Sequence, residues 1–248
     1  MSRPPIDKLE MHRAVGLLTE ELDKIGPINL RFSNDVSGLE AAHRILGKSE
    51  TGENFQRAMD TLPPNRFFWI GAFMGDSVIG TVAARCDDSA WSLQRFVKEY
   101  WERTFDAEGG GKVSIMPDSP TSARNYFGRF AYLGEAVTRD DLRGKNLSYI
   151  LVRLALLFAH DEWRPTVAYG WMRDWHAYAG LPIRWGFNRC VQNAFEWQTP
   201  PLKKDWHNLA FLLCDQDGFD QLMKHPAPRA LFEARKNTQT GSVTRPSS

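Results

Sequence analysis

The sequence predicts a single mixed α/β (α+β) domain, and three observations carry that reading. Two β-rich runs, 66–74 and 78–85, are joined by Gly75-Asp76-Ser77, which reads as a hairpin. Over 129–172 an apolar strand, a long apolar helix and a second apolar strand follow one another, which makes a crossover unit. The 248-residue chain is 42% hydrophobic and 25% charged, so one substantial core is within reach.

Residues 6–25 carry Val15, Leu18, Leu22 and Ile25 on one stripe, which predicts a helix stopped by Gly26-Pro27. Ile28, Leu30 and Phe32 alternate with polar residues and predict a strand. Ser33-Asn34-Asp35 supplies a cap for a helix through Leu39 to Leu46, and Pro63-Pro64-Asn65 ends a further helical region. After the hairpin, residues 90–105 read as a helix bearing Trp91, Phe96, Tyr100 and Trp101. The stretch from Glu108 through Gly109-Gly110-Gly111 to Pro120 reads as a loop, either a mobile lid or a plain surface excursion. A strand at 129–137 precedes a helix at 147–160, whose Leu147, Ile150, Leu151, Leu154, Leu157 and Phe158 face a core. Thr166 to Met172 predicts a buried strand, 174–180 a short helix or turn, and Phe187–Trp197 and Leu209–Cys214 the last two strands. The organisation expected is a helical extension (1–27), one domain (28–235) with an insertion at about 88–125, and a disordered tail (236–248).

A formal net charge of +1 lacks the footprint of a nucleic-acid binder. Cys86, Cys190 and Cys214 are odd in number and far apart, which argues against a disulfide framework or a zinc site and for reduced thiols in a cytoplasmic protein. No run reaches the length of a membrane span, and Met-Ser-Arg-Pro-Pro has no apolar signal core. No metal is expected. The N-terminal helix is free to pack on the core or on a partner, which leaves a homodimer open.

The most informative stretch is Gly134 to Ser148, the end of a strand, a short basic turn and the start of an apolar helix. Such a junction aims free backbone N–H groups and a helix N-terminus at one point, which attracts a phosphate or pyrophosphate. It has neither the Gly-Lys-Ser/Thr ending of a P-loop nor a Gly-x-Gly-x-x-Gly run.

This stretch resembles the GNAT superfamily, the acetyl-CoA-dependent N-acyltransferases. That family carries a Val, a short turn and Arg/Gln-x-x-Gly-x-Gly/Ala at the start of a helix. Here Val137 is followed by Thr138 to Leu142 and then Arg143-Gly144-Lys145-Asn146-Leu147-Ser148. Asn146 and Ser148 stand where the family has small residues. Asn accepts left-handed backbone geometry. A second resemblance lies in Leu181-Pro182-Ile183-Arg184-Trp185-Gly186-Phe187, similar to the family's Leu-Tyr-x-x-Leu-Gly-Phe. The likeness implies a mostly antiparallel sheet flanked by helices, and acetyl-CoA or another acyl-CoA as co-substrate. It implies that backbone at Ala136 and Val137 holds the acyl group and pantetheine arm, and that Arg143, Gly144, Lys145, Asn146, Leu147 and Ser148 hold the pyrophosphate. Lys145 reads equally as a surface lysine.

The family's usual acid, a Tyr, aligns with Pro182, which donates nothing. Tyr178 one turn earlier, His176 or water are the substitutes. For the base, Glu135 is the first candidate, because desolvation raises a carboxylate's pKa. The competing reading is an ion pair with Arg129 or Arg139. Asp174 and His176 follow the next strand and face the same cleft or the surface. His160-Asp161-Glu162 sits at a helix end and reads as solvated. Trp69, Trp91, Tyr100, Trp101 and Trp171 are candidates for a pocket wall or for core.

Three functions compete: N-acetyl transfer to a small-molecule amine, transfer of a longer chain from acyl-CoA or acyl carrier protein, and a catalytically silent CoA-binding or sensing module.

Overall fold

The computed structural model describes residues 6–55 and 63–227. Asp7 caps α1 (Lys8–Asp23) by accepting from the Leu9 and Glu10 amides, and Asp35 caps α2 (Val36–Ile45) in the same way. Between them lies β1 (Asn29–Ser33). The helical region before Pro63 begins at 53–55, and its remainder lies outside the described residues, as does the expected tail.

The hairpin forms from β2 (Phe67–Met74) and β3 (Ser77–Ser92). The second strand runs further than the sequence predicts, so the following helix, α3 (Leu93–Thr104), starts at Leu93 under a Ser92 cap. The glycine-rich stretch is neither lid nor plain excursion. It contains β4 (Ser114–Ile115), which pairs with a distant β8 (Trp197–Thr199) in a small second sheet. The sequence expectation of one strand over Phe187–Trp197 is thereby corrected to two, β7 (Arg189–Val191) in the main sheet and β8 outside it.

The crossover runs from β5 (Phe127–Thr138) through α4 (Leu147–Trp163) to β6 (Val167–Arg173). Two short helices follow, α5 (Asp174–Tyr178) and α6 (Leu181–Trp185). The chain ends with β9 (Leu209–Cys214) and α7 (Gln216–Lys224), a helix that the sequence pattern does not announce. The main sheet has the order β1-β2-β3-β5-β6-β9-β7, and β5–β6 is its parallel pair.

Each face of the sheet buries its own core. On one face α1, α4 and α7 pack together, with Leu18, Leu151, Leu154 and Phe219 inaccessible. On the other, α2, α3 and the small sheet cover an aromatic cluster centred on Trp101, whose ring lies 4.4–5.7 Å from those of Phe105, Trp171, Phe195, Trp197 and Trp206.

Buried Arg153 of α4 donates to the carbonyls of Ile183, Arg184 and Pro226, fixing α6 against α4. His160 is buried and stacks on Phe219, which corrects its expected solvated place, while Asp161 pairs with Lys8 and Glu162 is exposed at the helix end as expected. The three thiols are free, and burial pushes that of Cys86 up to about 12. Among the described residues no helix is long and apolar enough to cross a membrane.

Candidate active site

Strands β5 and β6 pair only over Phe130–Val167, Ala131–Ala168 and Tyr132–Tyr169. Beyond Tyr132 they part, and among the described residues no strand fills the gap. The facing edges of β5 and β6 therefore carry backbone groups free to bond a guest. A cleft of about 380 Å³ occupies the gap, lined by Gly134, Ala136, Gly170, Trp171, Arg173 and His176 among others. Glycine at the fork lets neighbouring groups approach closely. A Cβ on Gly170 would stand 3.0 Å from the Leu133 carbonyl oxygen, and one on Gly134 would stand 3.0 Å from the Tyr132 ring.

A bulge shapes the β5 wall. Between Thr81–Val137 and Ala83–Gly134, β3 advances two residues while β5 advances three. The extra residue turns through Glu135, whose φ is +57°, and Thr81 Oγ1 donates to the Glu135 carbonyl at 3.1 Å.

Past the end of β5, two left-handed residues, Gly144 (φ +80°) and Asn146 (φ +68°), swing the chain into α4. Asn146 thus adopts the geometry its residue type allows. The amides of Arg143 and Lys145 donate within the turn, to Asp140 and Leu142. Among the described residues the amides of Gly144, Asn146, Leu147 and Ser148 find no backbone acceptor. Leu147 is buried as the helix anchor, Lys145 is exposed, and exposed Arg143 is tied to Asp140 at 2.6 Å. Arg184, which nothing in the sequence pattern singles out, reaches from α6 to donate to Asn146 Oδ1 at 3.3 Å.

Glu135 lines the cleft, but its carboxylate is committed. It pairs with Lys48, accepts from the Gly52 amide at 3.1 Å and lies 3.4 Å from His43 Nδ1. The partners expected from sequence are engaged elsewhere, Arg129 with Asp88 and Arg139 with Asp141. The bulge is the reason, since it redirects Glu135 toward the 48–52 loop. No sequence pattern links Lys48 to a residue 87 positions away.

Tyr178 is 68% exposed and lines a neighbouring cavity of about 500 Å³ rather than the cleft. His176 faces the cleft, where burial and the charge of Arg173 hold its imidazole below the ordinary value of 6.5. Buried Asp174 accepts from the Asn193 amide at 3.3 Å. The Gly186-Phe187 pair has a visible task. Gly186 (φ +98°) ends α6, and buried Phe187 joins the cleft wall.

Of the five aromatic candidates, Trp171 lines the cleft, 4.7 Å from the Tyr132 ring at the fork. Trp69 bonds the Asp35 carbonyl, Tyr100 and Trp101 are core, and Trp91 lies under Arg95 at the surface. Among the described residues no cluster of His, Cys, Asp or Glu is arranged to hold a metal.

No protein-family model matches the chain, and no curated protein matches it in sequence. Solved structures do match in shape. An agmatine N-acetyltransferase superposes with a TM-score of 0.51 at 11% identity, over 76% of this chain and 100% of the other. FeeM, an N-acyl amino acid synthase from uncultured soil microbes, superposes with a TM-score of 0.50 at 11% identity, over 83% and 98%. With its forked parallel pair set in an otherwise antiparallel sheet, the chain has the fold of the GNAT N-acyltransferases.

Proposed function

We propose that the protein moves an acetyl group from acetyl-CoA directly to the amine of a small molecule. The fork between β5 and β6, whose β5 arm runs on through the 139–146 turn into the α4 N-terminus, carries this reading. Both fold neighbours are named for placing an acyl group on nitrogen, which agrees with it. The residues present suit the donor. Backbone from Leu133 to Val137, Ala136 included, pairs with the pantetheine arm as an added strand would. The amides of Gly144, Asn146, Leu147 and Ser148 meet the pyrophosphate, with charge from Arg143, Lys145 and Arg184. Tyr132 and Trp171 close the fork and favour a short acyl group.

His176 takes the proton of the attacking amine. Its neutral imidazole is the right form for a base at pH 7. The new C–N bond forms as the C–S bond breaks. The departing thiolate, with a thiol pKa near 8.5, recovers the proton from the imidazolium, so Tyr178 is not needed as the acid. Glu135 serves the same wall by fixing Lys48 and the Gly52 amide.

Thermal unfolding with and without acetyl-CoA tests the reading, beside an Arg143→Glu, Asn146→Asp double variant. At 100 times its dissociation constant the ligand adds about 2.7 kcal/mol, and the variant is expected to lose that gain. Silence with acetyl-CoA and with longer acyl-CoAs would remove the proposal. A donor series that gains rate beyond two carbons would replace acetyl by a longer chain.

A further inference from the structure

Arg173, the last residue of β6, lines both cavities. One is the forked cleft and the other the neighbouring cavity walled by Asp174, Trp175, Tyr178, Asn193, Lys204, Asp205 and Asn208. Among the described residues the cleft is lined by two cations, Lys48 and Arg173. They differ in commitment. Lys48 is held by Glu135, whose side chain is 8% exposed and anchored by the Gly52 amide. Arg173 pairs at 2.9 Å with Asp205, and both side chains are about half exposed or more, at 46% and 65%. An exposed pair of that kind is worth roughly 0.2–1 kcal/mol, so a ligand carboxylate can exchange with it, and a guanidinium offers that carboxylate two parallel bonds.

The position of this exchangeable cation is what matters. His176 stands one helical turn on, facing the same cleft, and the Arg173 charge is felt at its ring. A cation in an exposed, exchangeable pair and an imidazole therefore line the same cleft. From this juxtaposition we infer that the acceptor is an α-amino acid, with its carboxylate on Arg173, its amine at His176 and its side chain in the neighbouring cavity. The inference rests on the acyl-transfer reading above. An α-amino acid carries amine and carboxylate on one carbon, so a single bound pose satisfies both groups.

Binding of the product tests this without requiring turnover. N-acetyl-tyrosine and N-acetyl-leucine are titrated by calorimetry in the presence of CoA, beside N-acetyl-tyramine and N-acetyl-isoamylamine, which lack the carboxylate. The wild-type protein is expected to prefer the acids at least tenfold. Arg173→Met is expected to bring the ratio near one, and Arg173→Lys to restore part of it. Equal binding of acid and amide, a preference that survives Arg173→Met, or no binding of any of the four would overturn the inference. Acetyl-CoA protection, measured on the same variants, checks that they fold and keeps the two readings apart. If acetyl-CoA protects while no Arg173-dependent preference is seen, the acceptor class alone falls. If acetyl-CoA fails to protect while the preference holds, the transfer reading falls and the amino acid site stands.

Discussion

With glutamine in place of His176, kcat is expected to fall roughly 10²- to 10⁴-fold, the usual contribution of a positioned base, while acetyl-CoA still raises the melting temperature. An unchanged kcat would move the base elsewhere. A base works deprotonated, and burial with Arg173 holds His176 below 6.5. So kcat/KM is expected to be level at neutral pH and to fall as pH drops through that lowered value. Removing the Arg173 charge is expected to shift the fall to higher pH. The pH dependence of stability is expected to follow His43 instead. It is buried, its Nδ1 lies 2.9 Å from Thr51 Oγ1, and burial followed by the Lys48 charge lowers its pKa to about 4. Between there and 6.5 the unfolded chain binds a proton that the folded chain refuses, so stability is full above 6.5 and declines below it. The slope is about 1.4 kcal/mol per pH unit, which predicts a loss of about 2 kcal/mol by pH 5 in urea titrations. His43→Gln is expected to flatten that dependence, and a variant as steep as the wild type would exclude His43 as its source.

At the scale of elements, Gly170 is the most exacting position. A methyl group there meets the Leu133 carbonyl oxygen at 3.0 Å, a backbone atom that moves only with its strand. Gly170→Ala is expected to weaken acetyl-CoA binding at least tenfold while the protein still unfolds cooperatively, as calorimetry would report. Intact affinity would mean that the fork does not hold the donor. Much of this architecture is legible in the sequence because its signals are local. Asp35 caps α2, the turn at Gly75-Asp76 closes the hairpin, and the apolar run of α4 declares its own helix. The turn from Arg143 to Ser148 is legible for the same reason. What stays hidden depends on distant partners. The short β4 gains its meaning only from β8, more than 80 residues later. The bulge at Glu135, which decides where that carboxylate points, follows from register against β3 rather than from its neighbours in sequence. Tyr178 and His176 are two residues apart, and only the turn of α5 sends one to the neighbouring cavity and the other to the cleft.

For the molecule as a whole, one sheet separates two cores of different character, an aliphatic one under α1, α4 and α7 and an aromatic one around Trp101. The cleft opens where both meet, with Val152 and Leu212 from the first side and Tyr132 and Trp171 from the second. Among the described residues, three pairs, Phe130–Val167 to Tyr132–Tyr169, stitch β1-β2-β3-β5 to β6-β9-β7, with the Thr166 amide donating to the Arg129 carbonyl beside them. The domain is therefore two leaves sharing a thin spine. A guest bonded to the inner margin of each leaf would lengthen that spine. Amide hydrogen exchange is expected to slow together over Leu133–Val137 and Gly170–Arg173 when acetyl-CoA is added, whereas slowing on one leaf alone would mean that the ligand rests on a margin without joining the two. On the proposed reading a bound donor would act as a splint between the two leaves, continuing the seam that the three pairs begin.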